Sequence, residues 1–113
     1  MIYVIDLDGT LCDTKRNKVG YWDYIGAKPY LKRIKFVNKL YQEGHTIIIE
    51  TARGCDSKKD WSDETFSQLK KWGLRFHKLR TGKKFAADLY IDDKTLFFKD
   101  NWYKFIDKDL IVK

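Results

Sequence analysis

Asp6 and Asp8 stand two residues apart at the end of an apolar run, Ile2 to Ile5, and Gly9 follows at once. Side chains alternate in extended chain, so both carboxylates point the same way. Glycine lets the backbone turn sharply just after them. A second acidic pair, Asp92-Asp93, closes another apolar run, Leu89 to Ile91, and Lys83 and Lys84 lie just before that run. Two carboxylates at one strand end, facing two from another, would repel. A hard cation with oxygen ligands relieves the repulsion, and magnesium typically takes one or two carboxylates plus waters and a phosphate. A third polar end is Thr51, which closes the β-branched run from Thr46.

The elements that must bring these ends together follow from the pattern. Ile2 to Ile5 reads as a strand buried on both faces of a parallel sheet. Residues 13 to 28 are polar, aromatic and glycine-containing, and read as a long loop or flap. Pro29 suits the first turn of a helix, along which Leu31, Ile34, Val37 and Tyr41 recur until Gly44 stops it. Thr46 to Thr51 is the second strand, and residues 52 to 60 form a loop. Residues 61 to 72 form a second helix, with Thr65, Phe66, Leu69 and Trp72 on one side. Phe76 to Leu79 reads as a third strand and Leu89 to Ile91 as a fourth; a short helix around 95 to 106 and a last strand at Leu110 to Val112 complete the order. Alternating strands and helices imply a parallel α/β sheet. Ligands of such sheets bind outside the carboxyl ends of the strands, where Asp6, Thr51 and Asp92 stand.

Asp6-Leu7-Asp8-Gly9-Thr10 resembles the first motif of the haloacid dehalogenase (HAD) superfamily of phosphatases. Thr51 resembles the second motif, a lysine ahead of the last core strand the third, and Asp92-Asp93 the fourth. Thr51-Ala52-Arg53-Gly54, Lys71-Trp72-Gly73 and Ala87 to Lys94 are similar to small capless members. Those include bacterial capsule-biosynthesis phosphatases and, more distantly, the phosphatase domain of polynucleotide kinase-phosphatases. The resemblance covers nearly the whole chain.

It implies one HAD-like domain over residues 1 to 113: a three-layer Rossmann-like α/β core, a parallel sheet ordered 3-2-1-4 with room for a fifth strand, and no large cap. It also implies a magnesium-dependent phosphatase; a cytoplasmic location is expected instead from the lack of a spanning or signal-like run. Asp6 would attack phosphorus to give a phosphoaspartate, and Asp8 would protonate the leaving oxygen and later deprotonate water. The Thr51 hydroxyl would hold a phosphoryl oxygen. Magnesium would sit on the Asp6 carboxylate, the Asp8 carbonyl and Asp92, with Asp93 direct or through water. The lysine is read two ways: counting back from Asp88 favours Lys84, and counting forward from Gly82 favours Lys83. The strand-side spacing is stiffer, so Lys84 is preferred, with Lys83 beside the substrate. Arg53 either reaches a substrate phosphate or sugar or makes a surface salt bridge.

The rest of the composition bounds these readings. Hydrophobic residues make up 43% and aromatics 16%, enough for a core, and no run is long enough to span a bilayer. Met1 leads straight into a strand-like run, unlike a signal peptide. Cys12 and Cys55 have no metal spacing and read as reduced thiols. Tyr21, Trp22 and Tyr24 would either stack on a sugar or base or fold over the sheet as a lid. His45 and His77 read as structural, and the Lys32, Lys35 and Lys39 face as solvated. The net charge of +7 attracts anions without choosing among them. A small phosphorylated metabolite such as a sugar phosphate is the leading substrate. A nucleic-acid 3′ or 5′ phosphate end is the alternative; a phospho-receiver or a non-catalytic binding module ranks lower. The oligomeric state is left open.

Overall fold

The computed structural model describes residues 1–55, 59–84, 89, 91, 95 and 100–105. Chain order is β1 (Ile2–Asp6), β2 (Cys12–Asp13), β3 (Lys28–Pro29), α1 (Leu31–Gln42), β4 (Thr46–Thr51), α2 (Ser62–Lys71), β5 (Lys78–Thr81) and a 3-10 turn at Trp102–Phe105. Among the described residues this is an α/β protein with a parallel three-stranded sheet, two α-helices and no large cap.

The sheet runs β1-β4-β5. Ile5 lies beside Ile49 and Asp6 beside Glu50, so β1 and β4 end level; Thr51 is paired with Thr81 on β5. The parallel order requires a crossover between successive strands, and α1 and α2 supply them. On α1, Ile34, Val37 and Leu40 recur at helical spacing and are buried against a core that includes Ile5, Ile47, Ile49, Leu69 and Leu74. The same core takes in Leu7 and Leu11, so the turn after β1 is packed into the protein interior.

Several elements differ from the sequence reading. Pro29 pairs with Cys12 in β3 rather than opening α1. This short ladder tolerates a residue without an N–H, and the Tyr30 N–H donates to Leu11 O at 2.9 Å just before the helix begins. Leu31 is consequently exposed, although it shares the apolar spacing of α1. The third strand starts two residues later than expected, at Lys78. His77 is already tied to β4, since its N–H donates to Ile47 O and its ring nitrogen accepts from the Ile47 N–H. On α2, Phe66 is exposed while Thr65 and Leu69 are buried.

The outer part of β1 is also not buried on both faces: Ile2 and Val4 are exposed. Leu89 and Ile91, expected in a fourth strand, are described outside any strand and are 76% and 94% exposed. Among the described residues neither the fourth strand nor its pairing with β1 is present. Tyr90, Asp92, Asp93 and the expected strand at Leu110 to Val112 lie outside the described residues. Of the expected helix around 95 to 106, the described part is the single turn Trp102–Phe105.

Candidate active site

Asp6 is the last residue of β1, and the chain turns immediately after it. The Leu7 carbonyl accepts from the N–H groups of Thr10 and Leu11 at 3.1 and 2.8 Å, and Gly9 sits at φ 83°. That left-handed value favours glycine and lets the loop fold back over the strand end. Thr10 Oγ1 then donates to Asp6 Oδ2 at 3.2 Å, while Lys84 Nζ donates to Asp6 Oδ1 at 3.2 Å. Lys84 is half-buried, whereas Lys83 is exposed. The Sγ–H of Cys55 donates to the Lys84 carbonyl, tying the loop after β4 to the loop that carries the lysine.

Asp8 is held quite differently. Arg53 grips it with two parallel bonds, Nε to Oδ2 at 2.9 Å and Nη2 to Oδ1 at 2.8 Å. Thr14 donates to Oδ1 at 2.5 Å, Cys12 lies 3.5 Å from the same oxygen, and Thr51 Oγ1 is 3.4 Å from Oδ2. Burial alone would raise the Asp8 carboxyl. The Arg53 hydrogen bonds and charge, with bonds from Thr14 and Cys12, outweigh it and hold the group below the usual aspartate range. Burial also pushes the Cys12 thiol up to about 12, so it stays protonated.

Arg53 is brought inward by the local backbone. Its own N–H donates to Thr51 Oγ1 at 3.2 Å, and its carbonyl accepts from Gly82 N at 2.9 Å. Gly54 follows at φ 90°, with the Lys59 carbonyl 2.6 Å from where a Cβ would stand, so no larger residue fits that turn. The Arg53 side chain is 1% exposed. Arg53 therefore does not make the surface salt bridge that is one of the two roles expected from the sequence: its ion pair with Asp8 is buried on the arginine side. Its third nitrogen, Nη1, donates to Thr65 Oγ1 at 3.2 Å and to Gln68 Oε1 at 2.8 Å on α2. Thr65 and Gln68 lie three apart on one helix face, a spacing that puts two polar side chains within reach of one partner.

The flap aromatics do not form a lid together. Tyr21 and Trp22 are exposed, and Trp22 carries the Arg16 guanidinium 4.4 Å from its ring. Tyr24 alone turns inward, packing edge-on against Trp61 and facing Arg53 at 4.7 Å. His45 and His77 sit in structural contacts at the opposite end of the sheet: His45 with the N-terminal amine at 3.0 Å, and His77 stacked on Tyr41. Cys12 and Cys55 are free thiols.

The structure thus brings Asp6, Asp8, Thr51, Arg53 and Lys84 together at the carboxyl ends of β1 and β4, with Lys83 beside them but turned to solvent. Among the described residues no three His, Cys, Asp or Glu side chains gather as a metal-ligand group. The Asp6 carboxylate suits a hard cation: it is oxygen-rich and its side chain is 39% exposed. The Asp8 carboxylate does not suit one as placed, because both its oxygens are occupied by Arg53; its main-chain carbonyl is the group the resemblance would use. Beside Arg53 and Gly54 opens a polar groove of about 380 Å³, lined further by Lys59, Asp60, Ser62 and Thr81. Thr10, Thr14, Thr65 and Gln68 were not singled out from the sequence as site residues. Thr10 lies inside the first motif, and the paired polar positions on an otherwise apolar helix face were the available signal for Thr65 and Gln68.

No family model matches the chain, and no curated protein matches it. Among solved structures, the crystal structure of an MCSG target from Vibrio cholerae is similar, at 22% identity and a TM-score of 0.77 over 98% of this chain and 93% of that one. Likeness at that identity establishes the shared α/β fold and nothing about activity.

Proposed function

We propose that the chain is a capless phosphatase of the HAD type, a magnesium-dependent phosphomonoesterase that works through an aspartyl-phosphate on Asp6. The observation that carries this reading is the meeting of Lys84 with Asp6, at 3.2 Å, across 78 residues of sequence. A lysine beside a strand-end aspartate fixes its rotamer and presents positive charge where a phosphoryl group would arrive. In the sheet order 3-2-1-4 of this reading, β5, β4 and β1 take the first three places.

In the first step an Asp6 oxygen would form a bond to phosphorus while the bond from phosphorus to the leaving oxygen breaks. Asp8 would give that oxygen a proton. In the second step water would attack the phosphoaspartate, Asp8 would take a proton from it, and the bond from Asp6 to phosphorus would break. As placed, Asp8 is a carboxylate gripped by Arg53, which suits the second step; the first requires a protonated Asp8. Thr51, buried between Asp8 and the Arg53 backbone, would offer its hydroxyl to a phosphoryl oxygen. Magnesium would be held by the Asp6 carboxylate and the Asp8 carbonyl, with Asp92 and Asp93 completing the set. When bound it supplies positive charge that lets an anionic nucleophile meet an anionic substrate.

The leading substrate class is a small phosphorylated metabolite such as a sugar phosphate, because the adjoining groove is lined by hydroxyl and charged groups suited to a polyol. The test is magnesium-dependent turnover of p-nitrophenyl phosphate, followed by a screen of sugar phosphates and phosphate-ended oligonucleotides. Turnover by the wild type and none by Asp6→Asn is expected. A wild type inert toward every ester with magnesium present would overturn the reading.

A further inference from the structure

Gln68 touches both the Arg53 guanidinium and the main chain of the flap. Its Oε1 accepts from Arg53 Nη1 at 2.8 Å, and its Nε2 donates to the Tyr24 carbonyl at 2.7 Å and lies 3.5 Å from that of Ile25. The primary amide is suited to this, since it accepts at one end and donates at the other. The Tyr24 ring meets the same guanidinium at 4.7 Å and is braced by Trp61 at 5.1 Å. On its other side the guanidinium holds both oxygens of Asp8. An unbroken set of contacts therefore runs from the flap through Gln68 and Arg53 to Asp8.

The base of the flap is fixed by the Asp13–Lys28 pair, the buried Ala27 and the Thr14 bond to Asp8, whereas its tip is exposed. Val19, Tyr21 and Ile25 are 78%, 72% and 67% exposed. The turn at its tip is closed mainly by Asn17, whose side chain accepts from the Val19 and Tyr21 N–H groups. Beyond that base, the flap is clasped at Tyr24 and Ile25 by Gln68, the residue that also holds the partner of Asp8.

We propose that Gln68 is a positioning residue that couples the seat of the flap to the orientation of Asp8, acting through Arg53. The proposal rests on the phosphatase reading above and deepens it. A leaving group entering under the flap would shift Tyr24, loosen the Gln68 bond to Arg53, and free Asp8 to turn toward the leaving oxygen. Specificity for the leaving group would then reside partly in the flap, although the flap contributes no reacting atom.

Gln68→Glu separates the two contacts. It keeps an acceptor for Arg53 and replaces the donor to Tyr24 with an oxygen that the carbonyl repels. The readout is kcat/KM across phosphate esters whose leaving groups run from p-nitrophenol to simple alcohols. A misaligned acid harms poor leaving groups, which need the proton, and spares good ones. The expected result is a loss of roughly tenfold or more on alkyl phosphates, with p-nitrophenyl phosphate within about twofold. Tyr24→Leu, made from the flap side, should give the same slope. An independent readout needs no turnover: trypsin should cut the Lys15 to Lys18 stretch several-fold faster in Gln68→Glu than in wild type. An equal loss on every ester, or no loss on any, with wild-type turnover intact overturns the coupling alone. Unchanged tryptic cleavage overturns the clasp on which it depends. A wild type that turns over no ester overturns the phosphatase reading first, and the coupling with it.

Discussion

Asp6 and Asp8 come from one turn of chain, yet their surroundings are opposites. Among the described residues Asp6 has one donor on each oxygen, Thr10 and Lys84, and its side chain is 39% exposed. Asp8 has a bidentate arginine, two hydroxyls and a thiol around it, and its side chain is 24% exposed. Accessible, lightly bonded carboxylate is what a nucleophile needs, because each donor it already holds must be loosened before it attacks. A carboxylate held in one rotamer by an arginine is what proton transfer at a fixed position needs. Asp6 ends β1 and Asp8 stands in the turn that follows; the unlike partners from β4, α2 and the lysine loop would suit them to different work in the proposed reaction.

The largest effect that would break this contrast belongs to Asp6. Asp6→Asn keeps the size of the side chain and an acceptor for Thr10, so melting should move little. Turnover should fall by about 10⁴-fold or more, as expected when a nucleophile is removed. Steady-state and single-turnover assays with p-nitrophenyl phosphate check it, and near-normal turnover would mean that another group attacks phosphorus.

Arg53 tests the Asp8 side. Arg53→Met leaves a largely buried carboxylate without its counter-charge, and removing one partner of a buried pair typically costs about 3–5 kcal/mol. Because Asp8 keeps some solvent and its Thr14 bond, a loss of about 3 kcal/mol in urea unfolding is expected. Adding Asp8→Asn to Arg53→Met should recover part of that loss, since no uncompensated charge remains. A single variant as stable as wild type would show that the pair contributes nothing net.

This part of the site was the least legible in the sequence. Hydrophobic periodicity located α1 through Ile34 and Val37 and located β4 through Ile47 and Ile49, because those side chains answer to local spacing and one apolar core. The first motif and Thr51 were legible because both sit at strand ends. The burial of Arg53 was not, since it depends on Asp8, 45 residues away, and on Thr65 and Gln68, which reach it only after α2 packs. Pro29 misled for a related reason: its fixed φ suits a helix start and a short ladder alike, and the pairing with Cys12 decides between them. The late start of β5 follows from His77, whose ring occupies the Ile47 N–H before the regular ladder begins.

A smaller effect is expected in acid. The folded-state value of Asp8 lies below its unfolded value, so as pH falls protons bind the unfolded chain first. The stability from Asp8 is complete above the unfolded value of about 3.9 and is lost as pH drops through the folded one. Asp8→Asn lacks this term. Asp60, also held low by its Ser62 hydrogen bonds, is common to both proteins and cancels. The wild-type advantage over Asp8→Asn in urea unfolding should therefore shrink as pH is lowered from about 5 to about 3. An advantage that stays constant over that range would mean that Asp8 is not held low in the folded protein.

The smallest effect separates two adjacent lysines. Lys84 donates to Asp6 and is half-buried, and its carbonyl is fixed by Cys55. Lys83 is exposed, and no bond from its side chain is present among the described residues. An exposed lysine near an anion site acts mainly through the general field, which salt screens within about 10 Å at moderate ionic strength. Lys83→Ala should therefore raise KM for a charged substrate by about twofold or less at low salt, leave kcat unchanged, and lose even that difference at 0.5 M salt, roughly where screening shortens to a few ångströms. Lys84→Ala should instead lower kcat at every ionic strength, because its charge is in contact with Asp6, the proposed nucleophile, and little solvent lies between them. Kinetics of both variants across a salt series decide it. A kcat loss in Lys83→Ala that survives high salt, with Lys84→Ala near wild type, would exchange their roles and remove the contact on which the reading of Asp6 depends.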